Sequence, residues 1–226
     1  RLMAKATDLG DGVRMAVQAG LDEATKTIGI EAAASLARED CLAWGKANNR
    51  ERLIVLEEAT GSELARLDGE SRAVSFNQAI TDILHDDTKS VRLIHNHPSD
   101  SSLSAADFGA LTNPGVIGIE AAGHRGSRYV AFKIGKKLDV EVLTRALDAA
   151  DRAIRLEIQP SFSAIRMPVD IANWAHHYFM AKGFDEAGLV RYEAILSPEK
   201  VAQLEPYQWL ADRCIAAAKR AAEQAK

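Results

Sequence analysis

The sequence predicts an α/β (α+β) protein: a core of alternating strands and helices, extended by helical segments at both ends. Three observations carry this. Between residues 50 and 136, short β-branched runs alternate with stretches of helical periodicity. Residues 1–49 are alanine-rich and mostly helical in pattern, and residues 137–226 read as almost entirely helical. The chain is therefore divided into a helical N-terminal segment (1–49), a core (50–136) and a helical C-terminal region (137–226).

In the first part the clearest helix is 31–46, where Ile30, Ala33, Ala34, Ala37, Cys41 and Trp44 recur at helical spacing before Asn48-Asn49 breaks the pattern. Strands are predicted over 53–57 and 71–76, around turns at Gly61-Ser62 and Asp68-Gly69. A short helix over 77–84 would turn Ile80, Ile83 and Leu84 inward. A buried strand follows over 91–97, then a helix over 105–111. Strands over 116–121 and 129–134 flank the His124-Arg125-Gly126 turn as a hairpin. Further on, helices are expected over 139–157, 169–182 and 205–225, with a short helical piece at 187–195. Ile158-Gln159-Pro160-Ser161 reads as a break between helices. In the last helix Tyr207, Ala211, Cys214, Ile215, Ala218 and Ala222 form a stripe suited to core packing or a helical partner.

The chemistry concentrates in His95-Asn96-His97-Pro98, followed by Ser104 and Asp107. Side chains of a strand alternate between faces, so His95 and His97 point to the same side. Pro98 cannot continue a central strand, which puts the histidines at its exit into a turn-rich loop. Asp107, in the first turn of the next helix, is placed to reach back over the strand end. Two imidazoles and a carboxylate leave one position of a tetrahedral zinc open for water, the arrangement of a catalytic site. Ser104-Ala105-Ala106-Asp107 also fits an N-terminal capping box, and alone it would be read as a cap. The two roles are compatible, and the conjunction of both histidines with the acid in one short window favours a metal site.

This string resembles the signature of the JAB/MPN metalloproteases (the JAMM motif), and the Asn between the histidines followed by Pro-Ser is most similar to the RadC-type branch. The resemblance covers about residues 50–136, and its loop between Pro98 and Ser104 is one residue shorter than is usual in the family. It implies a mixed β-sheet packed between helices, with a layout similar to cytidine deaminases. It also implies Zn2+ held by His95, His97 and Asp107, and a glutamate near the first strand as general acid and base. Glu51 matches that glutamate best, with Glu57 and Glu58 as fallbacks. By the same resemblance Ser104 would hydrogen-bond the oxyanion, and the substrate would be a peptide or ubiquitin-like tail extended beside a sheet edge. The implied activity is that of a zinc metallopeptidase or isopeptidase. The alternative is a non-catalytic RadC-like binding or assembly module of a phage or mobile-element system.

Other signatures are absent: there is no His-Glu-x-x-His and no Cys-x-x-Cys. Of the remaining histidines, His85 carries no assignment, His124 is expected in a loop that could line a cleft, and His176 and His177 are expected to pack or face solvent. The 226 residues carry a formal net charge of -4, which argues against a broad nucleic-acid surface. Cys41 and Cys214 are expected as free thiols in a reducing, cytoplasmic setting. No apolar run reaches membrane-spanning length and no signal peptide is expected. Arg1 in place of Met suggests a trimmed or processed piece of something longer.

Overall fold

Small residues at helical spacing decide how the first described helix, α1 (Ile30–Asn48), lies on the sheet. Ala34, Ala37, Cys41 and Gly45 form its buried face, which packs on Ile54, Leu56 and Ile94. Asn49 ends it in the left-handed region, at φ 52°, a conformation Asn tolerates well. The computed structural model describes residues 29–71, 73–164 and 167–226; the expectation of helix before residue 29 lies outside them.

The sheet has six strands: β1 (Arg52–Glu57), β2 (Glu63–Asp68), β3 (Val91–His97), β4 (Val116–Gly123), β5 (Arg128–Lys133) and β6 (Val190–Ile195). Their order is β2-β1-β3-β4-β5-β6. Only β3 and β4 run parallel, joined through α3 (Ala105–Ala110). The other pairs are antiparallel. Leu53 stands opposite His95, and His95 opposite Ala121; Leu93 stands opposite Ile119. β3 is buried along its whole length, as a central strand covered on both faces must be.

The larger core lies on the face away from α1. There Leu53, Val55, Leu93, Ile119, Tyr129 and Ala131 pack with residues of α2 (Gln78–His85), α3, α4 (Val140–Ala164), α5 (Val169–Glu186) and α7 (Gln208–Ala225). The protein is therefore a mixed α/β structure with helices on both sides of the sheet. Tyr207 lies in a short 3-10 turn between α6 (Pro198–Leu204) and α7, so the expected 205–225 helix is divided.

Three expectations are corrected. The strand expected at 71–76 is instead β2, eight residues earlier in the chain, and the 73–77 stretch has no regular structure. β2 is an edge strand whose exposed positions are charged, Glu63, Arg66 and Asp68, so its apolar signal is weak. The helical piece expected at 187–195 is β6: Gly188 turns the chain at φ 62°, and Val190 and Tyr192 are buried while Arg191 and Glu193 face solvent, the period of a strand. The break expected at 158–161 does not occur. α4 continues to Ala164, because Ile158 extends its buried row of Leu143, Ala146, Ala150 and Ile154.

Candidate metal centre

Strand alternation brings His95 and His97 to the face of the larger core, at the end of β3. Their Nε2 atoms are 2.8 Å apart. Asp107 lies over them, with Oδ1 3.2 Å from His95 Nε2 and Oδ2 3.6 Å from His97 Nε2. The shortened loop after Pro98 thus still delivers the carboxylate. Ser104 caps α3 by accepting the Asp107 N–H at 3.3 Å, and the Ser104 N–H donates to Asp107 Oδ2 at 2.6 Å. Ser104 and Asp107 close one ring of hydrogen bonds, so the cap fixes the carboxylate's orientation.

The donor set fits a zinc ion. Ligands held about 2.0–2.1 Å from a common tetrahedral zinc lie roughly 3.3 Å from one another, close to the three separations found. The Nδ1–H of His97 donates to the Ser101 carbonyl at 2.9 Å, which leaves Nε2 with its lone pair facing the other two groups. Burial and the neighbouring His95 push His97 down to about 4, so it is neutral at pH 7. Burial also opposes charge on His95 and Asp107. The two offset it for each other: Asp107 raises His95, and His95 with His97 holds the Asp107 carboxyl well below the usual range.

Glu51 precedes β1 by one residue. Two positions from Leu53, it shares the face of Leu53 and His95. It is 7% exposed, and burial, reinforced by Asp107 and opposed by His95, pushes its carboxyl up to about 7. Its backbone pairs with the chain leaving β2: Glu51 N–H donates to Glu70 O at 2.9 Å and Gly69 N–H to Glu51 O at 2.7 Å. From the opposite face of β3, Asn96 holds the peptide groups on either side. Its Nδ2 donates to Arg50 O at 2.9 Å, and its Oδ1 accepts the Arg52 N–H at 2.8 Å. The fallback acids are elsewhere. Glu57 accepts from Thr60 Oγ1 at 2.6 Å, and Glu58 pairs with Arg92 at 2.8 Å.

Glu51, His95, His97, Ser104 and Asp107 line one cleft of about 800 Å³. Comparison with protein-family models, with curated proteins and with solved structures finds no match to this chain. The assignment of the site therefore rests on its own geometry.

Several residues of the site carry no local signal in the sequence. Asp100 is fully buried with φ 57°, and its carboxylate accepts from Arg125 N–H at 2.8 Å and Ser127 Oγ at 2.6 Å. Its carbonyl accepts from Tyr129 OH at 3.1 Å and from Lys200 Nζ. The loop between the histidines and Asp107 is thereby anchored to the C-terminal helices. Gly123, opposite His97, leaves the room: a Cβ there would overlap Asp100 Oδ1. Lys200 is buried against the Trp174 ring, 4.1 Å from its centroid; burial, partly offset by Asp100, pulls its amine down to about 8.

His177, expected to pack or face solvent, lines the cleft, and burial pulls its imidazole below the ordinary value while Asp107 opposes that shift. Its spacing with Asp170, Asn173 and Trp174, also on the cleft wall, is that of one helical face and was readable in the sequence. His124 lies on the other side of the sheet, its Nε2 2.9 Å from Asn96 Nδ2.

Proposed function

We propose that this chain is a zinc-dependent hydrolase of peptide or isopeptide bonds. The observation that carries the reading is the convergence of His95, His97 and Asp107 beside the buried, readily protonated Glu51. Zinc held by two imidazoles and a carboxylate supplies a Lewis acid and an activated water of pKa about 7. The chain's own residues do the rest. Glu51, with its carboxyl pushed up to about 7, is suited to take a proton from water and return it to the departing amine. Ser104 Oγ accepts from the Asp107 backbone, so its own hydrogen is available to the oxyanion. His97 stays neutral and oriented through Ser101.

The exposed edge of β2 and the irregular 73–77 stretch beside Glu51 suit an extended substrate that pairs through its backbone. A peptide or ubiquitin-like tail is the substrate class we assign. The binding-module alternative calls for Glu51 turned away from the histidines; its place in the same cleft wall supports hydrolysis instead. The exposed flank of the C-terminal helices is the surface assigned to a protein partner, and the acidic balance weighs against nucleic acid. Among the described residues no helix is long and apolar enough to cross a membrane. A cytoplasmic setting is supported by Cys41 and Cys214, both buried free thiols.

The test is metal content by mass spectrometry, comparing wild type with a His95→Ala/His97→Ala variant, both purified without chelator. About one zinc per chain, lost in the variant, is expected for a three-ligand site. Peptide and isopeptide hydrolysis by the zinc-loaded protein should then fall about 10²–10⁴-fold in Glu51→Gln with zinc retained. A wild type that takes up no zinc when supplied with it overturns the reading.

A further inference from the structure

The cleft is not uniform along the sheet. At the end of β3, beyond His97, its walls are mostly polar, with Ser99, Ser101, Arg125, Asn173 and His177 beside the single large ring of Trp174. In the opposite direction it continues past His95 over a floor of Leu53, Leu93 and Ile119. Leu93 and Ile119 are paired neighbours on β3 and β4, and Leu93 precedes His95 by two residues on the same face. The floor therefore begins at His95 and runs about 7 Å from it, the span of two strand residues. Its sides are Ala106 and Ala110 of α3 and Val74 and Phe76 of the irregular stretch.

Two features mark this end as built for a ligand. The α3 positions that face it, one turn apart, carry methyl groups only; Ala110 and the floor are nearly covered while Ala106 is exposed, so the opening lies at the Ala106 and Phe76 rim. Phe76 is 41% exposed at its lip, on a segment whose neighbour Val74 is packed against Gly69 and the core. Gly69 in turn is bonded to Glu51, so the apolar side and the general acid–base are held by the same short piece of chain.

We infer that the apolar end of the cleft, between Val74-Phe76 and Ala106-Ala110, is a specificity subsite. It takes the side chain of a large apolar residue flanking the bond to be cleaved. This rests on the hydrolase reading and names its substrate more closely: an apolar residue such as Leu, Met or Phe on one side of the scissile bond, with polar chain on the other. Filling a site of this kind is worth about tenfold or more in selectivity for each methylene or two accommodated.

The experiment is a mixture of randomised peptides digested by the zinc-loaded protein, with the products sequenced, for wild type and Ala106→Trp. Ala106 is solvent-exposed, so the larger ring is tolerated by the fold. Leu, Met and Phe should be enriched about tenfold at one position beside the cut, and Ala106→Trp should shift that position to Gly, Ala and Ser. Cleavage without such enrichment, or an enrichment that Ala106→Trp leaves in place, overturns the subsite. If no peptide is cut, the hydrolase reading is what fails. The subsite is then judged by methyl NMR of the metal-free protein titrated with N-acetyl-leucinamide and N-acetyl-serinamide. Shifts at Leu53, Leu93 and Ile119 with the first and not the second support it; no shifts with either overturn it.

Discussion

Asn96 and Glu51 stand on opposite faces of the sheet, and the amide of one holds the backbone of the other. Asn96 grips Arg50 O and Arg52 N–H, the polar groups immediately before and after Glu51, from between the two histidines. The residue that looks like a spacer in His-Asn-His thus sets the direction in which the acid projects.

Asn96→Ala is expected to leave zinc binding intact while lowering turnover, because His95 and His97 keep their own contacts. It removes the partners of buried backbone groups, at a cost of roughly 1–3 kcal/mol. Chemical denaturation and metal analysis of the same preparation check both halves. Loss of zinc together with activity would show that Asn96 supports the histidines and not the acid.

Glu51 makes the stability of the metal-free protein depend on pH. Its folded pKa of about 7 lies above the ordinary 4.5, so the folded state binds more protons than the unfolded state between those values. Its contribution is fully present below about pH 4.5 and declines as pH rises through 7, by about 3 kcal/mol in total. Urea denaturation of apo wild type and apo Glu51→Gln should therefore diverge across this window, with the variant showing the flatter profile.

Lys200 acts in an alkaline window. Burial depresses its folded pKa to about 8 from 10.5, so between these values the unfolded state holds more protons. The stability difference between wild type and Lys200→Met should shift in favour of wild type by about 3 kcal/mol as pH rises from 8 to 10.5. A pH-independent difference would mean that the amine is solvated in the folded protein.

Gly123→Ala should be far more damaging than its size suggests. The added methyl displaces the Asp100 carboxylate and with it the loop that carries Ser101 and leads to Asp107. Zinc affinity is expected to drop about 10–100-fold, as when a supporting shell is lost. Competition with a chromophoric chelator measures it; unchanged affinity would show that the loop holds its shape without Asp100.

The parts of the site legible in the sequence share one property: they lie within short windows where strand and helix periods fix relative direction. His95, His97, Ser104 and Asp107 span thirteen residues; Glu51 lies outside that window, and only the motif's family resemblance, together with the apolar run that follows it, points to it. Asp100 and Lys200, a hundred residues apart in the chain, meet only through tertiary packing, and no local pattern announces such a pair. β2 and β6 were missed for a related reason. Edge strands carry charge on their open positions and offer little of the apolar continuity that made β3 obvious.

β6 has a consequence for how this protein can be cut or recombined. It comes from beyond residue 136, yet it is hydrogen-bonded along the whole of β5, and Lys200 of the helix after it bonds to Asp100 in the loop between His97 and Asp107. A version ending after β5 would bare the long flank of a strand and the apolar sides of β4 and β5, and it would leave Asp100 without its amine. The half that carries His95, His97 and Asp107 is therefore not a portable cassette. Anyone grafting this centre into another scaffold must transplant the helical half with it.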